Sequence, residues 1–328
     1  MIKKRRKRVF LSSLILLYSI SLFGCSNDEE EIKKVKIDNG AIAIENSGNY
    51  SIYNLADEKY EKVETDYIIT SYDSKSENFI YNEDGKFKVN YLGKEKDIEN
   101  SKNITAPKLS IGGDYLSYFV REDYLNLKIK NLRDDKDIDF KSNVAISGEL
   151  IDWLNEDTLV YYGIDDSRNN GIFIYNISEN KEKLLYKLDL GYVEYLKVID
   201  DGIVFVQEKE EKQRTLKFID ENANITESID NIIDISDVEV SKDGIYILGR
   251  IENNNYSLYK YNNGSVKRLV YDFPKIINLE KGLSKDSSGN ILFIGGDDTR
   301  IEKLYKCEDG TISTLDVETG TYNFIDYS

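Results

Sequence analysis

Histidine is missing from all 328 residues, and cysteine, proline, methionine and tryptophan are scarce, with two, two, one and one copies. Without imidazole a Ser-His-Asp triad, a Cys-His pair, a histidine-ligated zinc site and a histidine general base are all impossible. Only carboxylate, lysine, tyrosine or Ser-Lys chemistry stays open. Two prolines beside abundant Ile, Lys, Asn, Glu, Asp and Tyr point to an A/T-rich genome. Basic charge is also short: 44 Lys and Arg stand against 60 Asp and Glu, a formal net charge of −16. A chain this acidic is not built for nucleic acid, whose phosphates it repels. The ordinary use of such acidity is to keep an exported protein in solution.

The one long apolar run lies at the start. Lys3-Lys4-Arg5-Arg6-Lys7-Arg8 leads into an apolar segment from Val9 to Phe23 that ends at Leu22-Phe23-Gly24-Cys25, followed by Ser26-Asn27-Asp28-Glu29. This is the order of a secretory signal, and the run is shorter than the ~20 residues that cross a bilayer. Leu22, Gly24 and Cys25 resemble the lipobox of bacterial lipoproteins, with the bulky Phe23 less usual there. That resemblance implies cleavage between Gly24 and Cys25 and a diacylglyceryl group on the Cys25 thiol. Residues 1–24 are then a signal peptide, 25–33 a charged tether and 34–328 the folded part, at the extracytoplasmic face of the cell membrane. Loss of the leader's basic residues leaves about −22. With Cys25 spent on lipid, Cys307 stands alone and no intrachain disulfide can form.

The folded part repeats. Ala41–Ile44, Phe79–Tyr81, Leu116–Phe119, Leu159–Tyr162, Ile203–Val206, Ile245–Leu248 and Ile291–Ile294 recur about 42 residues apart, a spacing that suits a four-stranded propeller blade. Turns rich in Gly, Asp, Asn and Ser precede four of them: Gly112-Gly113-Asp114, Asn155-Glu156-Asp157, Asp200-Asp201-Gly202 and Ser241-Lys242-Asp243-Gly244. Such side chains cap backbone amides and glycine accepts positive φ, so these carboxylates are structural by default. Alternating strands follow, such as Ile172-Phe173-Ile174-Tyr175 and Tyr256-Ser257-Leu258-Tyr259, then short charged edges such as Val266-Lys267-Arg268-Leu269. No stretch beyond the leader has a helical period. The expected fold is all-β, a seven-bladed propeller of four-stranded antiparallel blades, with a pair of β-sandwiches as runner-up.

Around Ile151-Asp152-Trp153-Leu154-Asn155-Glu156-Asp157 and Val238-Glu239-Val240-Ser241-Lys242-Asp243-Gly244 the chain resembles the TolB-like propeller repeat, although the proline of that motif is absent. The resemblance implies the fold and places Trp153 where an aromatic packs between blades. It implies no activity.

No motif marks a catalytic, cofactor or metal site. Ser284-Lys285-Asp286-Ser287-Ser288-Gly289 lacks the spacing and the Thr-Trp of a sialidase turn, and Asp165-Asp166-Ser167-Arg168-Asn169-Asn170-Gly171 does not fit an EF-type calcium loop. The expected function is a membrane-tethered binding or assembly module for a protein or cell-envelope partner. The alternative is a carboxylate-dependent hydrolase or lyase acting on cell-wall or extracellular carbohydrate. Propellers bind through connections between blades, which puts Asp66, Tyr67, Asn143, Tyr192, Asp230, Asn231 and Asp272 on the candidate binding face. Acidic residues and tyrosines gathered at the channel mouth would favour the enzyme. A broad exposed surface of Tyr and Ile would favour a protein partner. The strand-like segment Thr321–Tyr327 lies past the expected end of the last blade and is placed to complete a blade begun at the other terminus.

Overall fold

The computed structural model describes residues 35–328 apart from 57, 99–102, 201, 210–212 and 299–300. The leader, the cleavage position at Gly24 and Cys25, and the tether lie outside the described residues. Residues 35–328 form one compact body of short strands, in which the described helical structure is a 3-10 turn at Leu279–Lys281.

The strands fall into seven successive antiparallel units. The first holds β1 (Ile42–Asn46), β2 (Asn49–Ala56) and β3 (Lys59–Val63). The second is β4 (Ile68–Tyr72), β5 (Phe79–Glu83), β6 (Lys86–Tyr91) and β7 (Lys94–Asp97). The third is β8 (Ile104–Leu109), β9 (Tyr115–Arg121), β10 (Leu125–Asn131) and β11 (Lys136–Asp137), and the fourth is β12 (Val144–Trp153), β13 (Thr158–Asp165), β14 (Asn170–Asn176) and β15 (Lys181–Lys187). The next two share one sheet of seven strands: β16 (Tyr192–Ile199), β17 (Gly202–Glu208), β18 (Arg214–Ile219), β19 (Ile225–Ser241), β20 (Gly244–Ile251), β21 (Ser257–Asn262) and β22 (Ser265–Arg268). Strand β19 is 17 residues long, and it is the outer strand of the fifth unit in its first half and the inner strand of the sixth in its second. In the seventh, β23 (Ile276–Ile277) and β24 (Leu283–Lys285) divide the inner position beside β25 (Ile291–Gly296), β26 (Lys303–Glu308) and β27 (Thr311–Leu315).

The chain then returns to its start. Strand β28 (Thr321–Phe324) becomes the inner strand of the first unit, with Ile42 opposite Phe324 and Ile44 opposite Tyr322, and β29 (Asp326–Tyr327) adds in parallel to β4.

Each of the seven apolar segments read from the sequence is the second strand of its unit, hydrogen-bonded on both sides. Burial on both faces explains why these strands read as unbroken apolar runs rather than as alternation. Successive side chains point to opposite faces, so each strand feeds two cores. Ala41 and Ala43 pack with Ile69 and Phe79 of the second unit, whereas Ile42 and Ile44 pack with Leu292, Ile294 and Leu304 of the seventh. The remaining clusters join the second unit to the third, the third to the fourth and so on, through Leu116, Tyr161, Phe205, Ile247 and Phe293. Trp153, 4% exposed, lies in the core between the third and fourth units, where its indole N–H donates to Ser117 Oγ at 3.1 Å and it stacks on Tyr115.

Candidate functional site

In such a meander the connection into the inner strand and the turn between the second and third strands lie at one end, here the crossover end. The turns joining first to second and third to fourth strands lie at the other, the hairpin end. The inner strands β8, β12, β16, β19, β24 and β28, with β29, line a common cavity of about 770 Å³.

Charged residues of adjacent inner strands meet in that cavity toward the hairpin end. Lys108 of β8 lies 2.9 Å from Asp152 of β12, and the second Asp152 oxygen accepts the Val198 amide of β16 at 2.8 Å. Lys197 of β16 lies 2.9 Å from Asp237 and 3.1 Å from Glu239 of β19, and Lys285 of β24 reaches Glu239 at 3.3 Å and Asp200 at 2.9 Å. Asp237 also accepts the Tyr195 hydroxyl at 2.9 Å and the Leu283 amide at 2.8 Å, so one carboxylate ties together the inner strands of three units. Burial works against the Lys197 charge, but Asp237, Tyr195 and Glu239 outweigh it and hold the ammonium well above the usual lysine value. Lys108 and Lys285 are raised in the same way, Lys108 through Asp152 and Asp326 and Lys285 through Asp200 and Glu239. A lysine that works as nucleophile or base must shed its proton near neutral pH; these three are locked as cations.

Sequence reading missed this network because its partners sit one repeat away, and two repeats away for Lys285 and Asp200. A signal was present: Lys108, Asp152, Lys197, Glu239 and Lys285 each precede the hairpin turn of their own repeat by a few residues.

The turn carboxylates are occupied in the structure. Asp114 accepts from Tyr91 at 2.8 Å and pairs with Arg133 at 2.5 Å, Asp243 pairs with Lys260, and Glu156 pairs with Lys75. Asp165 folds over its own loop, accepting the Asn169 amide and side chain at 2.8 Å, which makes that segment a capped hairpin. Among the described residues no three Cys, Asp or Glu side chains converge to hold a metal ion.

The crossover end is different. Every exposed large aromatic of the described residues lies there: Tyr50, Tyr124, Tyr192, Tyr256, Tyr271 and Phe273. Ile164, Leu190, Ile233, Ile276 and Ile301 add exposed aliphatic surface at the same end. Among the described residues, the hairpin end exposes only Leu92, Ile111, Ile225 and Val266 as large apolar side chains. Arg250 and Arg268 lie over the rings of Tyr256 and Tyr271, with 5.8 and 4.7 Å to the centroids.

The residues singled out from sequence all map to this end, in different settings. Asp66, Asn143, Tyr192 and Asp272 are exposed. Tyr67 turns inward, its ring 4.6 Å from Tyr81 and 5.2 Å from Phe79, so it serves the core. Asp230 and Asn231 lie within continuous β19 and not in a loop. Asn231 takes a left-handed φ of 63° where β19 passes from one unit to the next, and Asp230 accepts the Thr215 hydroxyl at 2.8 Å. The aromatic neighbours Tyr124, Tyr256, Tyr271 and Phe273 were not singled out, because their exposure depends on loop positions that alternation does not report.

No family model and no curated protein matches this chain. Solved structures do. Dipeptidyl peptidase 4 of Porphyromonas gingivalis aligns at 13% identity over 88% of this chain and 54% of that one, with a TM-score of 0.57. The chain thus spans about half the length of that peptidase. The β-propeller domain of Cps50 (Swd1) from Myceliophteria thermophila aligns at 14% identity over 80% of this chain and 90% of that one, TM-score 0.50. TolB from Acinetobacter baumannii aligns at 11% identity over 89% of this chain and 81% of that one, TM-score 0.48. At these identities the likeness is one of fold, and that fold is the β-propeller.

Proposed function

We propose that the chain is a lipid-anchored, extracytoplasmic binding module: a closed seven-bladed propeller, tethered through Cys25, whose crossover end holds a protein partner without turning it over. Closure is supported by seven packed interfaces, the last of which joins the seventh unit to the first through Leu292 and Ile42. The observation that carries the binding role is the segregation of the exposed aromatic side chains of the described residues to one end. A folded surface gains nothing from leaving such groups in water, and their gathering at one end of the fold suits an interaction surface. Aliphatic Ile164, Leu190, Ile233 and Ile276 among them suit a protein better than a glycan, which stacks on rings and hydrogen-bonds to polar groups.

A carboxylate hydrolase or lyase needs an acid held protonated near neutral pH. Among the described residues, the carboxyls whose titration is displaced, including Glu95, Asp135, Glu194 and Asp243, are all displaced downward. The described chain enters the body at the hairpin end, where Asn39 lines the cavity.

Site-specific photocrosslinking in intact cells tests the reading. Probes at Tyr124, Tyr256 and Tyr271 should give discrete protein adducts while probes at Leu92 and Val266 do not. Adducts at the hairpin end alone would overturn it. So would cleavage of cell-wall polysaccharide by the purified protein that disappears on neutralising one channel carboxylate.

A further inference from the structure

We propose that the cavity bounded by the inner strands binds a small aliphatic diammonium, with one ammonium at Asp200 and the other at Asp326. This goes beyond the partner-holding role of the crossover end and does not depend on it. On the cavity wall Lys108, Lys197 and Lys285 are balanced by Asp152, Asp237 and Glu239. Two carboxylates are left over. Asp200, in the turn after β16, lends one oxygen to Lys285 and keeps 69% of its side-chain exposure. Asp326 of β29 is exposed and its side chain has no hydrogen bond or close ion pair among the described residues, although Lys108 feels its charge. A third unmet group is Ser284: it is 9% exposed, lies on the cavity wall, and its hydroxyl has no hydrogen-bond partner among the described residues.

The surplus is therefore two negative charges in a space walled by protein, where a carboxylate attracts a cation more strongly than on an open surface. An anion would be repelled, and a neutral sugar would leave both charges unmet. A metal ion needs converging ligands, and no three Cys, Asp or Glu side chains of the described residues converge. The two carboxylates come instead from separate places, Asp200 from the fifth unit and Asp326 from the strand added to the second. Ile111, Leu154, Ile199 and Phe324 add apolar wall to the same cavity, which suits methylene groups. Two charged ends joined by a hydrocarbon chain meet both requirements, and the Ser284 hydroxyl can accept from an ammonium.

Calorimetry on the full-length protein in nonionic detergent, with putrescine as the probe, tests this. One putrescine should bind per chain, at least about tenfold tighter than n-butylamine, which carries a single charge, and equimolar magnesium should not displace it. Asp200→Asn and Asp326→Asn, both at exposed positions, should each weaken putrescine about tenfold while melting as the parent does. Glu61→Gln with Asp84→Asn, which removes two exposed carboxylates outside the cavity, should leave the affinity unchanged. Displacement by magnesium, or many weak sites in place of one, would mean that an acidic chain merely gathers counterions, and overturns the proposal. Equal affinity for butylamine overturns it as well, and so does putrescine binding that is indifferent to either Asp substitution.

Discussion

Lys197 and Asp237, forty residues apart in sequence, meet at 2.9 Å across neighbouring inner strands, and Asp237 passes the contact on to the Leu283 amide. The pair is enclosed by protein but open to the water of the cavity, Lys197 keeping 27% of its side-chain exposure. Removing one partner strands the other in a poorly solvated place. Lys197→Met is expected to destabilise by about 2 kcal/mol, less than a fully buried broken pair would cost. Thermal melting of this variant beside Lys86→Met, an exposed lysine, checks it; equal midpoints would show the network to be decorative.

The clasp of β28 on β1 makes a second expectation. Deleting residues 321–328 removes buried Tyr322 and Ile325 and exposes the edge of β1. Two such side chains contribute about 1.5–3 kcal/mol each, so the midpoint should fall by roughly 5–10 °C. A truncated protein that melts with the parent would deny the clasp any part in stability.

The pH profile should be flat between about 5 and 8, because no histidine is present to titrate there. Below that window the depressed carboxyls take over. Glu95 is lowered by Lys88 and Tyr81, and Asp135 by Lys130. Groups lowered on folding stabilise fully above their unfolded value near 4, and this contribution is lost as pH falls through the folded value. Above the window tyrosine has the opposite sign. Burial, with the Glu182 carboxylate, raises Tyr161, and burial with Glu318 pushes Tyr53 up to about 12. Their contribution is complete below the unfolded value near 10 and disappears as pH rises through the folded one. Tyrosinate absorbance and circular dichroism followed together should show these rings ionising only as the fold opens. Smooth ionisation of every tyrosine in a protein still folded would contradict the burial.

Anchoring is tested directly. Wild-type protein should partition into the detergent phase and Cys25→Ser should be released or accumulate as precursor, since one diacylglyceryl group carries two acyl chains. An unmodified Cys25 thiol in the mature protein, seen by mass spectrometry, would exclude the lipid.

Strand positions were legible because the second strand of each unit is buried on both faces, and four or so consecutive apolar residues such as Leu159–Tyr162 have no cheaper explanation. The turns were legible because glycine and the short polar residues of Gly112-Gly113-Asp114 carry their backbone requirement with them. The passage from the fifth to the sixth unit was not. Sequence suggests a loop at Asp230-Asn231, whereas β19 runs straight through and absorbs the crossing in one left-handed residue. Nor could one chain reveal which surface aromatics stay out. Tyr67 and Tyr192 sit in equivalent connections, and only packing against Phe79 and Tyr81 turns the first inward.

The clasp has a mechanical side. A pull along β1 meets β28 on one side and β2 on the other. The ladder bonds lie across the pull, so they must slide together rather than open one at a time. A strand paired on both flanks resists a lengthwise pull, and β28, from the far end of the described chain, is one of the two strands that share it.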